Sequence, residues 1–562
     1  MTIMGMRMFF LVAAAAAALK QPHIVMIVAD DLGYGDLGSK GSEIKTPVID
    51  ALAKQGRILE NYYVQSSCTP TRSAIHTGRY PARVNMDLAM LGRAPRGVPL
   101  NETFLPEVLK REGYSTHAVG KWHLGAHAWE FTPTFRGYDS YLGYLQGGES
   151  YWTHEIPWFI PHALDKTPFP LINQYDFRRQ TLPNCGSHCS TVEIGSNQHY
   201  STHLLTAEAE RIIAAHDAST PLFLYLAYQA VHGPTEAPDS YVAPYLHVKD
   251  RRRQVYCGML AALDEGVGNV TKALKDNGLW ENTLVVFTTD NGGPTDTCDP
   301  QGSSNGALKG GKCSLWEGGT RGEAFITGGA LPAEVAGKPI SNLMHVVDWL
   351  PTFASFAGSG HPSTQQPLDG VNQHQALVSV SSPSAREDVF LGFSDGDRKG
   401  SALRMGKWKL LLGPPEVRGI QGIVAKLLGP IINDIKTHNY TALGGDDALK
   451  AEIKRLEDEA VSRQAGHHAD LDGFLVHERL FDVTSDAGET NNLARQYPDV
   501  VRDLRSRLEA YHSIAPPHGI DPSFSAQCVD QRPPKHWNQD GPGGAPAMTP
   551  YCDLHKVDEV LV

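Results

Sequence analysis

Continuous apolar segments alternate with amphipathic segments over the first half of the chain. Four segments have the pattern of strands, at 23–29, 115–119, 221–227 and 283–289. Apolar runs without polar alternation are typical of strands covered on both faces of a parallel sheet. The amphipathic stretches predict helices at 46–59, 103–112, 202–216 and 254–276. The alternation predicts an α/β fold, with a large, mainly parallel sheet flanked by helices.

Polar side chains follow each of these four strands. They are Asp30 and Asp31 after the first strand, Lys121 and His123 after the second, His232 after the third, and Asp290 and Asn291 after the fourth. Open α/β sheets place their sites at the carboxyl ends of their strands. One such position could be ordinary turn chemistry, but four of them predict a functional site along one edge of the sheet.

Four of these residues supply hard oxygen donors: Asp30, Asp31, Asp290 and Asn291. Carboxylate and amide oxygens suit Ca²⁺ or Mg²⁺ better than Zn²⁺. The local alternative is that Asp-Asp caps a helix and Asp-Asn-Gly forms a turn. Because the same pattern ends two strands, we predict that both strands contribute to one divalent-cation site.

The pattern changes near residue 384, after a stretch rich in Pro and Ser at 361–384. A hairpin is predicted at 401–411 with its turn at Met405-Gly406, followed by a strand at 478–482 and a helix at 498–512. We therefore predict a large α/β domain at 20–383 and a smaller α+β domain at 384–562, which ends in a loop-rich tail. The segment 420–465 has a helical pattern to which we assign no role.

Residues 1–19 have the basic start, apolar run and small-residue end of a secretory signal peptide. No other segment has the pattern of a membrane span, so we expect a protein of the secretory pathway, lysosomal or extracellular. The net charge of −12 argues against general nucleic-acid binding. It leaves room for a local basic pocket that binds an anionic substrate.

Export would place the eight cysteines in an oxidising compartment. Local pairing is plausible within three sets: Cys185 with Cys189, Cys298 with Cys313, and Cys528 with Cys552. Cys257 lies in a helical pattern and is predicted to be free and buried. Three N-glycosylation sequons, at Asn101, Asn269 and Asn439, fit the same compartment.

A short motif at Cys68, Pro70 and Arg72 precedes a segment that can start a helix. It resembles the signature of the type I sulfatases, in which this Cys is oxidised to formylglycine during secretion. Five further segments resemble the same family and extend the likeness over most of the mature chain. They are Val28–Gly33, Gly120–Gly125, Ala230–His232, Asp290–Gly293 and Lys312–Gly319. Their order is most similar to the arylsulfatase B group, the N-acetylgalactosamine-4-sulfatase type.

The resemblance implies an alkaline-phosphatase-like fold, a sulfatase catalytic domain at 20–383, and a role for each motif residue. Asp30, Asp31, Asp290 and Asn291 would hold Ca²⁺, with Mg²⁺ the less favoured ion, and the formylglycine at position 68 would be a further ligand. Arg72 would steady that residue, and a formylglycine-generating enzyme would be a partner during maturation. Lys121 and Lys312 would bind the sulfate, His123 would contact the formylglycine, and His232 would face the leaving group.

The chemistry implied by the family needs a hydrated aldehyde, which carries two hydroxyl groups on one carbon. One hydroxyl, activated by the cation, attacks sulfur, and the other later expels sulfate as the aldehyde re-forms. Lysines and the helix amino terminus stabilise charge on the sulfuryl oxygens, while an imidazole protonates the leaving oxygen. For the lysines the alternative is a solvated surface position, and for the histidines it is a structural role.

The expected reaction is hydrolysis of sulfate monoesters, either aryl sulfates or sulfated sugars such as N-acetylgalactosamine 4-sulfate. Two alternatives remain open at this point. One is a phosphate or phosphonate ester hydrolase of the same superfamily, which would use a similar metal and oxygen nucleophile. The other is an inactive protein that binds sulfated glycans, although the intact Cys68, Pro70 and Arg72 argue against it.

Overall fold

A computed structural model describes residues 21–90, 96–156, 174–295, 298, 301–394, 400–416 and 478–515. The strands are β1 His23–Ala29, β2 Arg57–Tyr63, β3 Ser115–Gly120, β4 Ser140–Gly143, β5 Glu155–Ile156, β6 Gln174–Tyr175, β7 Arg178–Gln180, β8 Ser190–Val192, β9 Leu222–Ala227, β10 Thr283–Thr289, β11 Ala324–Thr327, β12 Ile340–His345, β13 Asp388–Phe393, β14 Ser401–Met405, β15 Trp408–Leu412 and β16 Arg479–Asp482. The α-helices are α1 Pro47–Gln55, α2 Cys68–Thr77, α3 Leu105–Arg111, α4 Ser201–Ala215, α5 Asp239–Val242, α6 Arg251–Asp276, α7 Glu317–Thr320, α8 Trp349–Phe356, α9 His374–Val378 and α10 Pro498–Ser513.

The large sheet has ten strands in the order β12-β2-β11-β10-β1-β9-β3-β4-β7-β8. Its centre, from β10 through β1, β9 and β3 to β4, is parallel, and β12 pairs with β2 in the same sense. The remaining pairs are antiparallel, so the sheet as a whole is mixed. The predicted α/β architecture, with helices flanking a large sheet, is confirmed.

The register of the central strands aligns their carboxyl ends. Ala29 at the end of β1 pairs with Thr289 at the end of β10, and Gly120 at the end of β3 pairs with Ala227 at the end of β9. Because these strands run in parallel, the residues that follow them emerge at the same edge. The sequence-predicted site residues therefore meet where the strands stop.

One predicted element is wrong in its extent. The helix expected at 46–59 is α1, which ends at Gln55, and the chain then enters β2. Gly56 ends the helix, and a side chain there would lie 2.2 Å from the carbonyl oxygen of Ile326. The bulky residues Ile58, Tyr62 and Tyr63 favour a strand in this position because they pack well on a pleated surface.

The smaller sheet is antiparallel, in the order β13-β14-β15-β16, and α10 packs against it. Its predicted hairpin is formed by β14 and β15. Apolar side chains of this sheet, such as Phe390 and Leu480, share one cluster with Val28 of the large sheet. The division into domains at 20–383 and 384–562 stays a prediction.

Two of the predicted disulfides are present, Cys185–Cys189 and Cys298–Cys313. Cys257 is a free, buried thiol, as predicted, and Cys68 is the second free thiol among the described residues.

Several predictions lie outside the described residues: the signal peptide at 1–19, the segment 420–465, the sequon at Asn439, and the tail with Cys528 and Cys552. Asn101 is exposed in a turn, whereas Asn269 lies within α6. In the part of the chain that the structure describes, no helix has the length and apolarity to cross a bilayer.

Candidate active site

The structure brings every sequence-predicted site residue into one buried cluster at the carboxyl edge of the central strands. Asp30 and Asp31 follow β1, and Asp290 and Asn291 follow β10. Lys121 and His123 follow β3, and His232 lies beyond the end of β9. Cys68 and Arg72 enter from the first turn and a half of α2, and Lys312 lies in the loop before α7.

Arg72 connects two of the carboxylates. Its Nε and Nη2 lie 3.1 and 2.9 Å from Oδ2 of Asp290, and Nη2 lies 3.2 Å from Oδ2 of Asp30. Burial alone would raise the pKa of Asp30, but Lys121 and the other nearby cations hold it well below its usual value. Burial and the adjacent Asp30 carboxylate raise the pKa of Asp290. A cation bound here would reverse the latter effect, since opposite charge favours the ionised carboxylate.

Each lysine forms an ion pair with one carboxylate. Lys121 Nζ lies 2.5 Å from Oδ2 of Asp30, and Lys312 Nζ lies 2.9 Å from Oδ2 of Asp31. Both lysines are almost fully buried. Their burial argues against the alternative, a solvated surface position for each lysine.

Two buried oxygens of the cluster fit a metal ion. Oδ1 of Asp30 and Oδ1 of Asn291 have no hydrogen-bond partner in the described part of the chain. The amide nitrogen of Asn291 donates to Oδ1 of Asp31 at 2.7 Å, which fixes the orientation of the amide. A buried oxygen without a donor is costly unless a cation or water satisfies it. Ligand atoms of Asp30, Asp31 and His232 also lie within 4.8 Å of one another.

Cys68 is the first residue of α2 and is 3% exposed, so its sulfur sits at the positive end of the helix dipole. Its Sγ lies 3.2 Å from Nδ1 of His123. Nε2 of His123 lies 2.8 Å from the carbonyl oxygen of Met90, so Nε2 donates and Nδ1 is the acceptor that faces the sulfur. Burial, together with Lys121, lowers the pKa of His123 well below its usual value, which keeps the ring neutral.

His232 lies on the other side of the cluster. Its Nδ1 donates to the carbonyl oxygen of Gly233 at 2.7 Å, and its Nε2 lies 3.7 Å from Oδ2 of Asp31. Burial, reinforced by Lys312, lowers the pKa of His232 to about 4. The free ring is therefore neutral near pH 7, with Nε2 directed at the cluster.

The backbone is constrained at the same residues. Asp31 and His123 have φ values of 62° and 58°, a left-handed conformation that non-glycine residues adopt rarely. Such conformations concentrate at functional sites, where surrounding contacts enforce them. Gly120 has φ 101°, and a Cβ there would lie 1.9 Å from the carbonyl oxygen of Ala227. A glycine is required at this position to bring Lys121 to the end of β3.

The loop that begins at Gln146 was expected at the rim of the pocket, but its close contact with the two imidazoles was not predicted. A Cβ on Gly147 would lie 2.8 Å from Cε1 of His123, and one on Gly148 would lie 3.2 Å from Cε1 of His232. The Gly-Gly pair was the available signal, because adjacent glycines permit close backbone approach.

A family model described as Sulfatase matches residues 22–359. The chain belongs to the sulfatase family. Arylsulfatase J of Mus musculus is 34% identical over 523 residues, which cover 90% of this chain and 78% of that protein. Arylsulfatase A of Homo sapiens is 33% identical over 413 residues, covering 71% and 76%. The predicted family and enzyme class are confirmed: the chain is a sulfatase, a hydrolase of sulfate esters.

Solved structures agree with this assignment. Ps i-CgsB is 29% identical with a TM-score of 0.65, over 90% of this chain and 95% of that one. A second structure of Ps i-CgsB, in complex with k-i-k-neocarrahexaose, is 28% identical with the same TM-score of 0.65, over 90% and 96%. The phosphonate monoester hydrolase of Agrobacterium radiobacter has a TM-score of 0.53 at 17% identity, over 88% and 95%, and shows the shared fold alone. The placement in the arylsulfatase B group stays a prediction.

Proposed function

We propose that this sulfatase cleaves sulfate monoesters of sulfated sugars or aryl alcohols with a formylglycine made from Cys68. The observation that carries the proposal is the position of Cys68. Its sulfur lies at the amino terminus of α2, against the acceptor nitrogen of His123 at 3.2 Å. A helix amino terminus and an imidazole next to a thiol are typical of a reactive cysteine, whereas a structural cysteine is usually buried among apolar groups.

The residues that would hold a divalent cation, Ca²⁺ before Mg²⁺, are Asp30, Asp31, Asp290 and Asn291, with position 68 completing the set. The unpartnered oxygens of Asp30 and Asn291 support this choice. When bound, the cation would supply Lewis-acid activation of the nucleophile beside it and neutralise charge on the sulfate. Oxygen donors alone favour a hard cation over zinc.

Side chains of the protein itself would bind the sulfate and position the nucleophile and the carboxylates. Lys121 and Lys312, both buried, would bind the sulfate oxygens once the cation shares their carboxylate partners. His123 would hold the residue at position 68 through Nδ1. Arg72 would keep Asp30 and Asp290 in place through the contacts of its guanidinium group.

His232 would serve the leaving group. Since Nδ1 donates to the carbonyl of Gly233, Nε2 is the atom that can hold the transferable proton. Its pKa is lowered to about 4 in the free protein. A bound sulfate anion would raise that pKa, because opposite charge favours imidazolium. Protonation of Nε2 would thus accompany substrate binding.

Sulfated sugars are supported as substrates by Ps i-CgsB, one structure of which is in complex with k-i-k-neocarrahexaose. N-acetylgalactosamine 4-sulfate is one candidate among them. The two disulfides support maturation in an oxidising compartment of the secretory pathway, lysosomal or extracellular, where a formylglycine-generating enzyme would modify Cys68.

Mass spectrometry of position 68 tests the proposal. The tryptic peptide 58–72 of the secreted protein should carry an aldehyde that a hydrazide reagent traps. The matched control is Cys257, the other free buried thiol, which should alkylate as an ordinary cysteine after unfolding. Recovery of an unmodified thiol at position 68 from a fully active enzyme would overturn the proposal.

Two variants test the same residue by kinetics. Cys68→Ser supplies one hydroxyl group at that carbon, so it should bind substrate and react once without turning over, because no second hydroxyl can expel sulfate. Cys68→Ala should be inert. Multiple turnover by Cys68→Ser at the wild-type rate would favour a simple oxygen nucleophile, and comparing aryl sulfate with aryl phosphate would then identify the ester class.

A further inference from the structure

The segment 144–155, which we call the covering loop, leaves the end of β4 and passes over both imidazoles of the site. The backbone of Gly147 packs on the ring of His123, and that of Gly148 packs on the ring of His232. A shift of this segment would change the space around both rings. What anchors the covering loop therefore bears on how the imidazoles act.

A buried pair of ionisable residues lies directly after the two glycines. Oε1 of Glu149 is 3.0 Å from Nδ1 of His154, and both side chains are fully buried. Nε2 of His154 lies 2.9 and 3.1 Å from the carbonyl oxygens of Ser196 and His199. Because a carbonyl oxygen only accepts, Nε2 carries a proton. The contact between Nδ1 and Oε1 then requires a second proton, which the Glu149–His154 pair shares.

The surroundings of the pair favour keeping that shared proton. Its loss would set a buried carboxylate against the lone pair of a neutral imidazole. Burial raises the pKa of Glu149 to about 8, although His154 opposes the rise. Burial alone would lower the pKa of His154, but Glu149 raises it above the ordinary value of 6.5. The other titratable groups that interact with Glu149 are acidic: Asp176, Glu236, Tyr141, Tyr144 and Tyr175.

The other carboxylates that hold the covering loop need no proton. Asp176, which interacts with Arg178, accepts from the backbone nitrogen of Gln146 at 2.9 Å, and Glu236 accepts from that of Tyr151 at 2.8 Å. Burial raises the pKa of Asp176 to about 6, so this group is already ionised in alkaline solution. Among these anchors, the pair alone would weaken as the solution becomes alkaline.

We propose that Glu149 and His154 are positioning residues that hold the covering loop over the site imidazoles through a shared proton, and that alkaline pH releases this anchor. The inference rests on the proposed function for the roles of His123 and His232. It goes further in naming the groups that hold the covering loop and the pH at which they let it move.

The sign of the effect follows from the pKa values of the two states. In an open loop, His154 would return to its ordinary pKa of 6.5, whereas the closed loop keeps the shared proton up to about pH 8. The closed loop therefore binds one more proton between these values and becomes less stable as the pH rises through them. The ratio of closed to open loop should fall about ten-fold or more between pH 6 and pH 9.

Hydrogen exchange measured by mass spectrometry on peptides within 144–156 tests the anchor directly. The variant Glu149→Gln can donate from its amide to Nδ1 of a neutral imidazole, so it keeps the contact without a titrating proton. We expect wild type and this variant to be equally protected at pH 6. At pH 9 wild type should exchange about ten-fold faster or more, and comparison at one pH cancels the intrinsic exchange rate.

Two further variants serve as controls. Glu149→Leu offers no donor or acceptor and should lose protection at both pH values. Asp264→Asn replaces another buried carboxyl, whose pKa burial raises to about 6, and should exchange like wild type within 144–156. If Glu149→Leu does not fold, the comparison of wild type with Glu149→Gln still decides the result.

Activity provides the second measurement. On 4-nitrophenyl sulfate, kcat/KM of Glu149→Gln should stay within about two-fold of wild type at pH 6 and exceed it about ten-fold or more at pH 9. Equal exchange of the two proteins at pH 9 would overturn the inference, as would identical pH profiles of kcat/KM. A wild type inactive on every sulfate ester would instead refute the proposed function, and exchange would still show whether the pair holds the covering loop.

Discussion

Lys409 is a buried cation shared by two carboxylates, and its removal gives a quantitative test of what holds the small sheet to the site. Its Nζ lies 3.0 Å from Oε1 of Glu317 and 3.0 Å from Oε1 of Glu489, and all three side chains are fully buried or nearly so. Glu317 also accepts from Tyr63 at 2.8 Å, and Glu489 accepts from the backbone nitrogen of Glu317 at 2.6 Å. Glu317 opens α7, shortly after Lys312.

The change Lys409→Met keeps the side-chain volume and removes the charge. Burial already raises the pKa of Glu489 to about 7, although Lys409 opposes that rise, so this carboxyl is partly neutral at pH 7. In Glu317 burial is outweighed by Lys409 and neighbouring arginines, which lower its pKa. Without Lys409, the folded protein can remove the unpaired charge by protonating Glu317. The free energy of that protonation is therefore the largest stability loss we expect. From a starting pKa of 4.5, that cost is about 3.4 kcal/mol at pH 7 and about 1.4 kcal/mol at pH 5.5.

The sign of the pH dependence follows from the raised folded-state pKa in the variant. The folded variant would bind a proton above pH 4.5 that the unfolded chain releases, so its stability relative to wild type falls as pH rises. Urea unfolding at pH 5.5 and 7 measures both values. Lys409→Met/Glu317→Gln is the matched variant: it removes the unpaired charge, keeps the contact with Tyr63 and should recover most of the loss. A loss that is independent of pH, or a double variant no more stable than the single one, would refute the reasoning.

Two further predictions concern the site itself. Asp290→Asn should lower bound metal and turnover together, measured by atomic emission after dialysis and by aryl sulfate hydrolysis. The control is Asp264→Asn, which should leave metal content unchanged, because the buried Asp264 carboxylate accepts hydrogen bonds from backbone nitrogens of α1. Full metal occupancy in Asp290→Asn would contradict the assignment. Gly120→Ala should abolish soluble, folded protein or cost well over 3 kcal/mol, because its Cβ would overlap the carbonyl of Ala227. The control is Gly113→Ala, because Gly113 has φ 88° but open space around its Cα. This change should lower the free energy of unfolding by about 1 kcal/mol. Equal losses in the two variants would show that the backbone conformation of Gly120, and not the overlap, explains its cost.

The sequence predicted the central sheet and the cluster of site residues because both depend on local patterns. Each central strand is a continuous apolar run, and a polar residue of the site follows it, as Asp30 follows β1 and Asp290 follows β10. Parallel strands carry their ends to one edge, so adjacency in space followed from position along the strand. Helix α6 was predicted at 254–276 from its long amphipathic pattern, while its true start at Arg251, capped by Asp250, was not recognised.

Other features depend on contacts between distant segments, which no local pattern records. The strand β2 lies between β11 and β12, whose residues come more than 250 positions later, and its first three residues were predicted as the end of a helix. The pairing of Lys409 with Glu317 and Glu489 likewise joins three separate parts of the chain. The sequence shows a glycine at position 148, but its contact with His232 depends on how the whole loop folds.

The charges of the cluster lead us to expect that the proposed cation binds before the substrate. Three carboxylates, on Asp30, Asp31 and Asp290, face three cations, on Arg72, Lys121 and Lys312, and the two lysines are held directly by carboxylates. With all three carboxyl groups ionised, a sulfate anion would meet a site without net charge whose lysines already have partners. A divalent cation on the carboxylates would weaken those pairs and leave excess positive charge in a buried, low-dielectric space, where it attracts an anion strongly. Under the proposed function, metal and sulfate therefore favour each other's binding, and the same lysines that stabilise the free protein become the groups that bind the ester.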